Sequence, residues 1–151
     1  MLRSATYRPD GLYAAMHRVF VFGTLKGFPL HHQSLGDTPK RFDRHTVERY
    51  PMFIAGAWYA PMMMNEPGSG RQVRGELYEV DDAGLARLDA VESVGKPGNW
   101  RTVIDVEALD GSARCPAFAY VKSRVFAIPI HSDWLDVYDD DRFVPFDRRR
   151  R

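Results

Sequence analysis

Cysteine is nearly absent: Cys115 is the only one in 151 residues. A disulfide framework within one chain is therefore excluded, and a reducing compartment, the cytoplasm, is the expected setting. There is no apolar run approaching the ~18–20 residues that span a bilayer. No apolar stretch follows the N-terminal basic residues, so a secretory signal is not expected there. An excess of one charge is also missing. With 21 basic and 20 acidic residues the formal net charge is +1, which gives no reason to expect nucleic acid, an anionic membrane or an acidic partner. Repeats and low-complexity segments are absent as well, which removes solenoids and linkers from consideration.

What remains is an ordinary globular composition, 44% hydrophobic and 27% charged, in a length that suits one domain with a real core. Met16 stands just before the first strong strand signal. Residues 1–15 are therefore expected to be a loose, dispensable extension, and residues 16–151 the domain.

Val19, Phe20, Val21 and Phe22 form a short apolar run ended by Gly23, a buried-strand signal. The following stretch, residues 23–29, holds two glycines and a proline and reads as a loop. Residues 30–35 have room for one or two helical turns. Residues 42–50 are extended up to Pro51, and residues 52–54 and 61–64 are short apolar strands. Residues 66–70 make a turn. In residues 72–80, Val73, Gly75 and Leu77 alternate with Arg74, Glu76 and Tyr78, the pattern of a half-buried strand.

Asp81 and Asp82 open a helix, since aspartate caps the N-terminus and suits its positive dipole end. The helix is expected to run to about Val94 and stop at Gly95, with Pro97 beyond. Residues 100–109 form a strand with Thr102, Ile104, Val106 and Ala108 on one face. Asp110-Gly111 is a hairpin signal, and residues 113–121 are the partner strand. Past Lys122 the chain reads as irregular. The sum is an α+β fold: a small, mostly antiparallel sheet curled toward a barrel, with helix packed on it.

One residue does not fit its surroundings. Leu85 and Leu88 are three apart and Glu92 is four further on, which places all three on one helical stripe. Two apolar members predict a buried stripe, so the carboxyl of Glu92 is carried toward the core. Desolvation there raises a carboxyl toward the range useful in acid–base catalysis. The competing reading is a structural one, with Glu92 at a fraying helix end or paired to a cation such as Arg101.

Three stretches together resemble the gamma-glutamylcyclotransferase-like family. They are Val19-Phe20-Val21-Phe22-Gly23-Thr24-Leu25-Lys26, Gly75-Glu76-Leu77-Tyr78-Glu79-Val80, and Leu88-Asp89-Ala90-Val91-Glu92-Ser93. Trp100-Arg101-Thr102-Val103 stands where that family begins a strand with an aromatic and an arginine. The stretch from His45 through Pro51 to Gly56, together with Glu92-Ser93, is similar to one branch, the animal gamma-glutamylaminecyclotransferases. The resemblance extends from about Arg18 to Tyr120.

It implies a small mixed barrel with a pocket at one mouth. It also implies conversion of a gamma-glutamyl amine, such as gamma-glutamyl-epsilon-lysine, to 5-oxoproline and free amine. The family's catalytic glutamate falls on Glu92, and its glutamyl-cradling loop on Phe22, Gly23, Thr24 and Leu25. Phe22 departs from the tyrosine usual in the family, so one hydroxyl is missing. Two other readings keep the fold. One changes the leaving group to that of a gamma-glutamyl amino acid, glutathione or another gamma-glutamyl metabolite; the other is a ligand-binding module without turnover.

No cofactor is expected, because the substrate carries its own nucleophile and only protons must move. Nor is a metal site. His31 and His32 are adjacent and lack a third ligand at useful spacing. His131 is expected in a solvent-exposed loop, Cys115 as a small core thiol, and Met62-Met63-Met64 as strand core. Gly68 and Gly70 mark a turn without dinucleotide-loop context. The basic tail of residues 148–151, near Asp139, Asp140 and Asp141, reads as a solvated end.

Overall fold

The computed structural model describes residues 3–7, 13–23, 41–144 and 148–149. Eight strands and one α-helix are formed among them. In chain order they are β1 (Arg3–Tyr7), β2 (Tyr13–Val21), β3 (Arg41–Tyr50), β4 (Met52–Ala55), β5 (Ala60–Met63), β6 (Arg71–Asp81), α1 (Asp82–Val91), β7 (Asn99–Glu107) and β8 (Cys115–Lys122). A 3-10 turn, Arg124–Phe126, follows β8.

The main sheet has the order β1-β2-β6-β3-β7-β8, and β2 also pairs with β8. That extra pairing is parallel, Val19 opposite Phe118. It closes β2, β6, β3, β7 and β8 into a ring, so five strands make a barrel. Closure removes the open edges that a twisted sheet of this size would otherwise expose. The hairpin β4–β5 forms a separate two-stranded sheet. It is tied to the chain beyond β8 by the Ala55–Ile130 bridge and by hydrogen bonds from Gly56 N to Pro129 O and Leu135 N to Met52 O.

Strand alternation sorts side chains into two apolar layers. Phe20 and Phe22 of the β2 segment, Val73 and Leu77 of β6, Ile104 and Val106 of β7, and Ala117, Ala119 and Val121 of β8 fill the barrel interior. The opposite parity, Val19 and Val21, Tyr78 and Val80, and Phe118 and Tyr120, faces outward and receives Leu85 and Leu88 of α1. Both faces of β2 are thus buried, which is why residues 19–22 read as an unbroken apolar run. Each leucine buried this way stabilises the helix–barrel contact by roughly 1.5–3 kcal/mol.

Gly75 belongs to the interior parity of β6. A Cβ there would lie 2.4 Å from Val21 O and 2.8 Å from Phe20 Cζ. Only glycine lets the Phe20 ring lie against the β6 backbone.

Several expectations meet differences. Residues 1–15, expected as a loose extension, contain β1 and the start of β2, in register from Arg3–His17 to Tyr7–Tyr13. Pairing of β2 with β6 begins at Met16, opposite Asp81. β1 therefore extends one edge of β2 and lies outside the closed ring. The helix ends at Val91 rather than Val94. Ser93 N bonds to Ala90 O and Val94 N to Asp89 O, the paired bonds of a Schellman cap. That cap needs a left-handed residue, and Ser93 supplies it at φ 57°. Gly95 comes too late to be the stop signal.

The β7–β8 connection is longer than a two-residue turn, because Ala108 N bonds to Ser112 O and Val106 already pairs with Cys115. His131, expected in solvent, is half-buried. It stacks on Tyr59 with ring centroids 4.0 Å apart, and its Nε2 lies 2.8 Å from Gly56 O. Met63 and Met64 are fully buried, as strand core requires. The segment 30–35 and the His31–His32 pair lie outside the described residues. Among the described residues, no helix is long and apolar enough to cross a membrane.

Candidate active site

A cavity of about 600 Å³ opens at one mouth of the barrel. Five parts of the chain wall it. The end of β2 contributes Phe20, Val21, Phe22 and Gly23. The C-terminal end of α1 contributes Ala90, Val91, Glu92 and Ser93, followed by Lys96. β8 contributes Tyr120 and Lys122, and β5 contributes Ala60, Pro61 and Met63. Phe143 and Arg149 line it from the C-terminal segment.

The position of Glu92 follows from the helix. Asp81 Oδ1 accepts a 2.7 Å hydrogen bond from Gly84 N and fixes the start of α1. Leu85 and Leu88 lock the helix on the outer barrel wall. Glu92 is the C-cap residue, its N–H bonded to Leu88 O at 2.9 Å. One turn beyond Leu88, the helix has run past the packed wall and its stripe opens into the cavity. The side chain of Glu92 is 23% exposed. Burial pushes its carboxyl above the ordinary range, and the nearby Lys122 ammonium pulls it part of the way back.

Lys122 Nζ stands 3.6 Å from Glu92 Oε2. It also donates to Asn99 Oδ1 at 2.6 Å and to the backbone oxygen of Glu92 at 3.3 Å. A cation here faces the negative end of the helix dipole, an arrangement usually worth 0.3–1 kcal/mol. Arg101, expected as the alternative partner of Glu92, instead donates to Asp89 Oδ2 at 2.6 Å and lies over the Phe118 ring. Tyr120 OH donates to the other Asp89 oxygen. Burial and that carboxylate together push the Tyr120 phenol well up, so it stays protonated.

Phe22 and Gly23 come to the cavity with Glu92, from a strand 70 residues earlier in the chain. Phe22 is buried in the interior cluster, its ring tilted on Phe20 with centroids 6.2 Å apart. Gly23 sits against β5, where a Cβ would approach Pro61 Cγ to 2.8 Å. Thr24 and Leu25, expected to complete the cradle, lie outside the described residues. Among the described residues, no group of three or more His, Cys, Asp or Glu is placed to hold a metal ion.

Sequence reasoning missed Tyr120 and Lys122 as neighbours of Glu92. A signal was present: Phe118, Tyr120 and Lys122 share one parity of β8, opposite Ala117, Ala119 and Val121. The row that faces the helix therefore ends in a lysine. Nothing in the local sequence marks Phe143 or Arg149. They reach the cavity because Val144 N bonds to Trp58 O, in the β4–β5 connection, and Arg149 Nε to Val144 O.

The comparisons with known proteins agree with this architecture. The chain is similar to the gamma-glutamylaminecyclotransferase of Bos taurus, 39% identical over 129 residues, covering 80% of this chain and 74% of that one. It is similar to the human gamma-glutamylaminecyclotransferase, 41% identical over 122 residues, covering 74% and 78%. The crystal structure of an AIG2-like protein from Mus musculus superposes with a TM-score of 0.74 at 31% identity, covering 89% of this chain and 99% of that one. Residues 19–137 match the family model described as gamma-glutamyl cyclotransferase, AIG2-like. With most of the chain matched and the barrel mouth in place, this protein belongs to the gamma-glutamyl cyclotransferase, AIG2-like family.

Proposed function

We propose that this protein is a cyclotransferase that converts gamma-glutamyl amines, gamma-glutamyl-epsilon-lysine among them, to 5-oxoproline and the free amine. Family membership and the names of its relatives support the reaction class. The observation that carries the assignment of Glu92 is its placement: a partly desolvated carboxyl with an elevated pKa, opening into the cavity that Phe22 and Gly23 also line.

The chemistry needs little from the protein beyond position and proton transfer. The alpha-amino nitrogen of the glutamyl unit is the nucleophile, and it attacks the gamma-carbonyl carbon of the same molecule. Holding those atoms at attack distance can lower the barrier by ~7–11 kcal/mol relative to a bimolecular reaction. Glu92, ionised, takes the proton of the alpha-ammonium. A carbon–nitrogen bond closes the lactam and negative charge gathers on the carbonyl oxygen. Glu92 then returns the proton to the departing nitrogen as the bond to it breaks. The attacking nitrogen keeps one hydrogen in the lactam and gives up its second proton to the released amine. The products are therefore 5-oxoproline and the amine as its ammonium ion, and the carboxylate is regenerated. One carboxyl acts as base and then as acid, which suits a group held above the normal carboxylate range.

The backbone of Phe22, Gly23, Thr24 and Leu25 is assigned to the glutamyl end of the substrate, where N–H groups of a glycine-containing turn can bind an alpha-carboxylate or the developing oxyanion. No cofactor is required. The test is incubation with gamma-glutamyl amines, gamma-glutamyl amino acids and glutathione, scored by 5-oxoproline release. Release from the amines supports the proposal. Release from only glutathione or amino-acid conjugates moves the assignment to another substrate class, and no release from any of them refutes it.

A further inference from the structure

We propose that Lys122 is a positioning residue, which holds the Glu92 side chain at the cavity and keeps its carboxylate able to accept a proton near neutral pH. The proposal rests on Glu92 being the acid–base residue. Lys122 reaches Glu92 twice, through the backbone oxygen at 3.3 Å and the carboxylate at 3.6 Å. Its remaining direction is taken by Asn99 Oδ1 at 2.6 Å. Of the three donors of the ammonium, two are hydrogen-bonded at the strand–helix junction, and the carboxylate of Glu92 stands beside them as an ion pair. Asn99 is the first residue of β7 and pairs with Lys122 across the ladder. The lysine is thus held by the barrel and in turn holds the last turn of the helix.

The other charged and titratable groups around Glu92 do not duplicate it. On α1 itself, Asp89 is occupied by Arg101 and Tyr120. Tyr120 on β8 faces the cavity as a neutral phenol. Lys96, after the helix, is exposed at the cavity rim. Arg149 lines the C-terminal wall, with its Nε on Val144 O. Lys122 is the cation given an ion pair with Glu92 among the described residues. Burial works against ionisation of Glu92, and Lys122 works for it. Without the ammonium the carboxyl would be raised further, and less of it would be ionised to act as base.

An opposite charge within ~4–6 Å typically moves a carboxyl by about 1–3 pH units. Lys122→Met and Lys122→Gln should therefore shift the acid limb of kcat/KM upward by about one unit or more, a loss of about tenfold at any pH below the limb. Activity should recover as pH rises. Lys122→Arg keeps the positive charge and should keep the limb close to its wild-type position, with a smaller loss from the altered donor geometry.

The experiment is a pH profile of 5-oxoproline release for wild type and the three variants, with Glu92→Gln as control and melting curves for all. An upward shift in the neutral variants, restored by arginine, supports the proposal. Glu92→Gln inactive but the acid limb unmoved in a folded neutral variant overturns it while leaving the function standing. If both neutral variants fail to fold and Lys122→Arg folds, Lys122 is a structural clamp and the proposal falls. Full activity in Glu92→Gln refutes the reading of Glu92, and the proposal with it.

Discussion

Tyr120 OH donates a 2.8 Å hydrogen bond to Asp89 Oδ1, three residues before Glu92 on the same helix. Asp89 Oδ2 accepts from Arg101 at 2.6 Å, so one carboxylate is clamped by two neighbouring strands, β8 and β7. The helix end therefore has a fixed rotation about its axis, and Glu92 has a fixed direction of approach to the cavity. The same linkage sets Asp89 apart from Glu92: its oxygens already bind a guanidinium and a phenol.

Glu92→Gln keeps the side-chain volume and removes the ability to carry a proton. Loss of one acid–base group typically costs ~10²–10⁴ in rate, and in the proposed mechanism the same group serves both proton transfers, so the upper end is expected. Turnover of a gamma-glutamyl amine measures it, and near-normal turnover would remove Glu92 from the mechanism.

The pH dependence of stability carries a definite sign. The folded-state pKa of Glu92 is raised above its unfolded value. Its contribution is therefore fully present below the unfolded pKa and is lost as pH rises through the folded one. Glutamine has no such loss. The melting temperature of Glu92→Gln relative to wild type should rise between pH 4 and pH 8, and a constant difference across that span would contradict the burial argument.

Phe22→Tyr should leave activity within a few-fold. The ring is buried against Phe20 in the barrel interior, so its packing is expected to persist, with the added hydroxyl directed toward the cavity that Phe22 lines. Steady-state kinetics of the two proteins decide it. A gain of several orders of magnitude would mean that this chain lacks a hydroxyl important to the reaction.

Gly75→Ala should destabilise the fold. The new Cβ would stand 2.4 Å from Val21 O, a backbone atom that cannot rotate away. Overpacking of this kind typically costs 1–3 kcal/mol, and the backbone clash places this case near the top. Denaturant unfolding measures it; a change under ~0.5 kcal/mol would show that β2 and β6 separate easily.

A chain beginning at Met16 should fold and turn over. It loses β1 and residues 13–15 of β2, while Met16 and His17 remain, the β2–β6 register starts at Met16 and the ring of five strands is untouched. A large fall in melting temperature would show that the added strand supports the barrel.

Much of this was legible in one dimension. The alternation of Val73, Gly75 and Leu77 against neighbours of opposite parity already separated barrel interior from exterior, because strand periodicity needs no partner to be visible. The stripe Leu85, Leu88 and Glu92 likewise announced an acidic group carried toward apolar surroundings. Residues 19–22 gave only a buried strand, since an apolar run does not say which two layers bury it.

The local pattern determined which residues are apolar on which face, where α1 begins, and that Glu92 is displaced from water. It did not determine what meets Glu92. Arg101 looked like the nearer cation along the chain, but the parallel contact of β2 with β8 brings Lys122 to the helix end, and the helix register gives Arg101 to Asp89. Nor did it show that the helix stops at Val91, because a Schellman cap with Ser93 in the left-handed region depends on how the next segment leaves toward β7. Phe143 and Arg149 join the cavity through the bond of Val144 N to the distant Trp58 O and that of Arg149 Nε to Val144 O. Periodicity is a property of neighbours in sequence, whereas ion pairing and cavity walls depend on ring closure between strands about a hundred residues apart, and only the tertiary structure decides those.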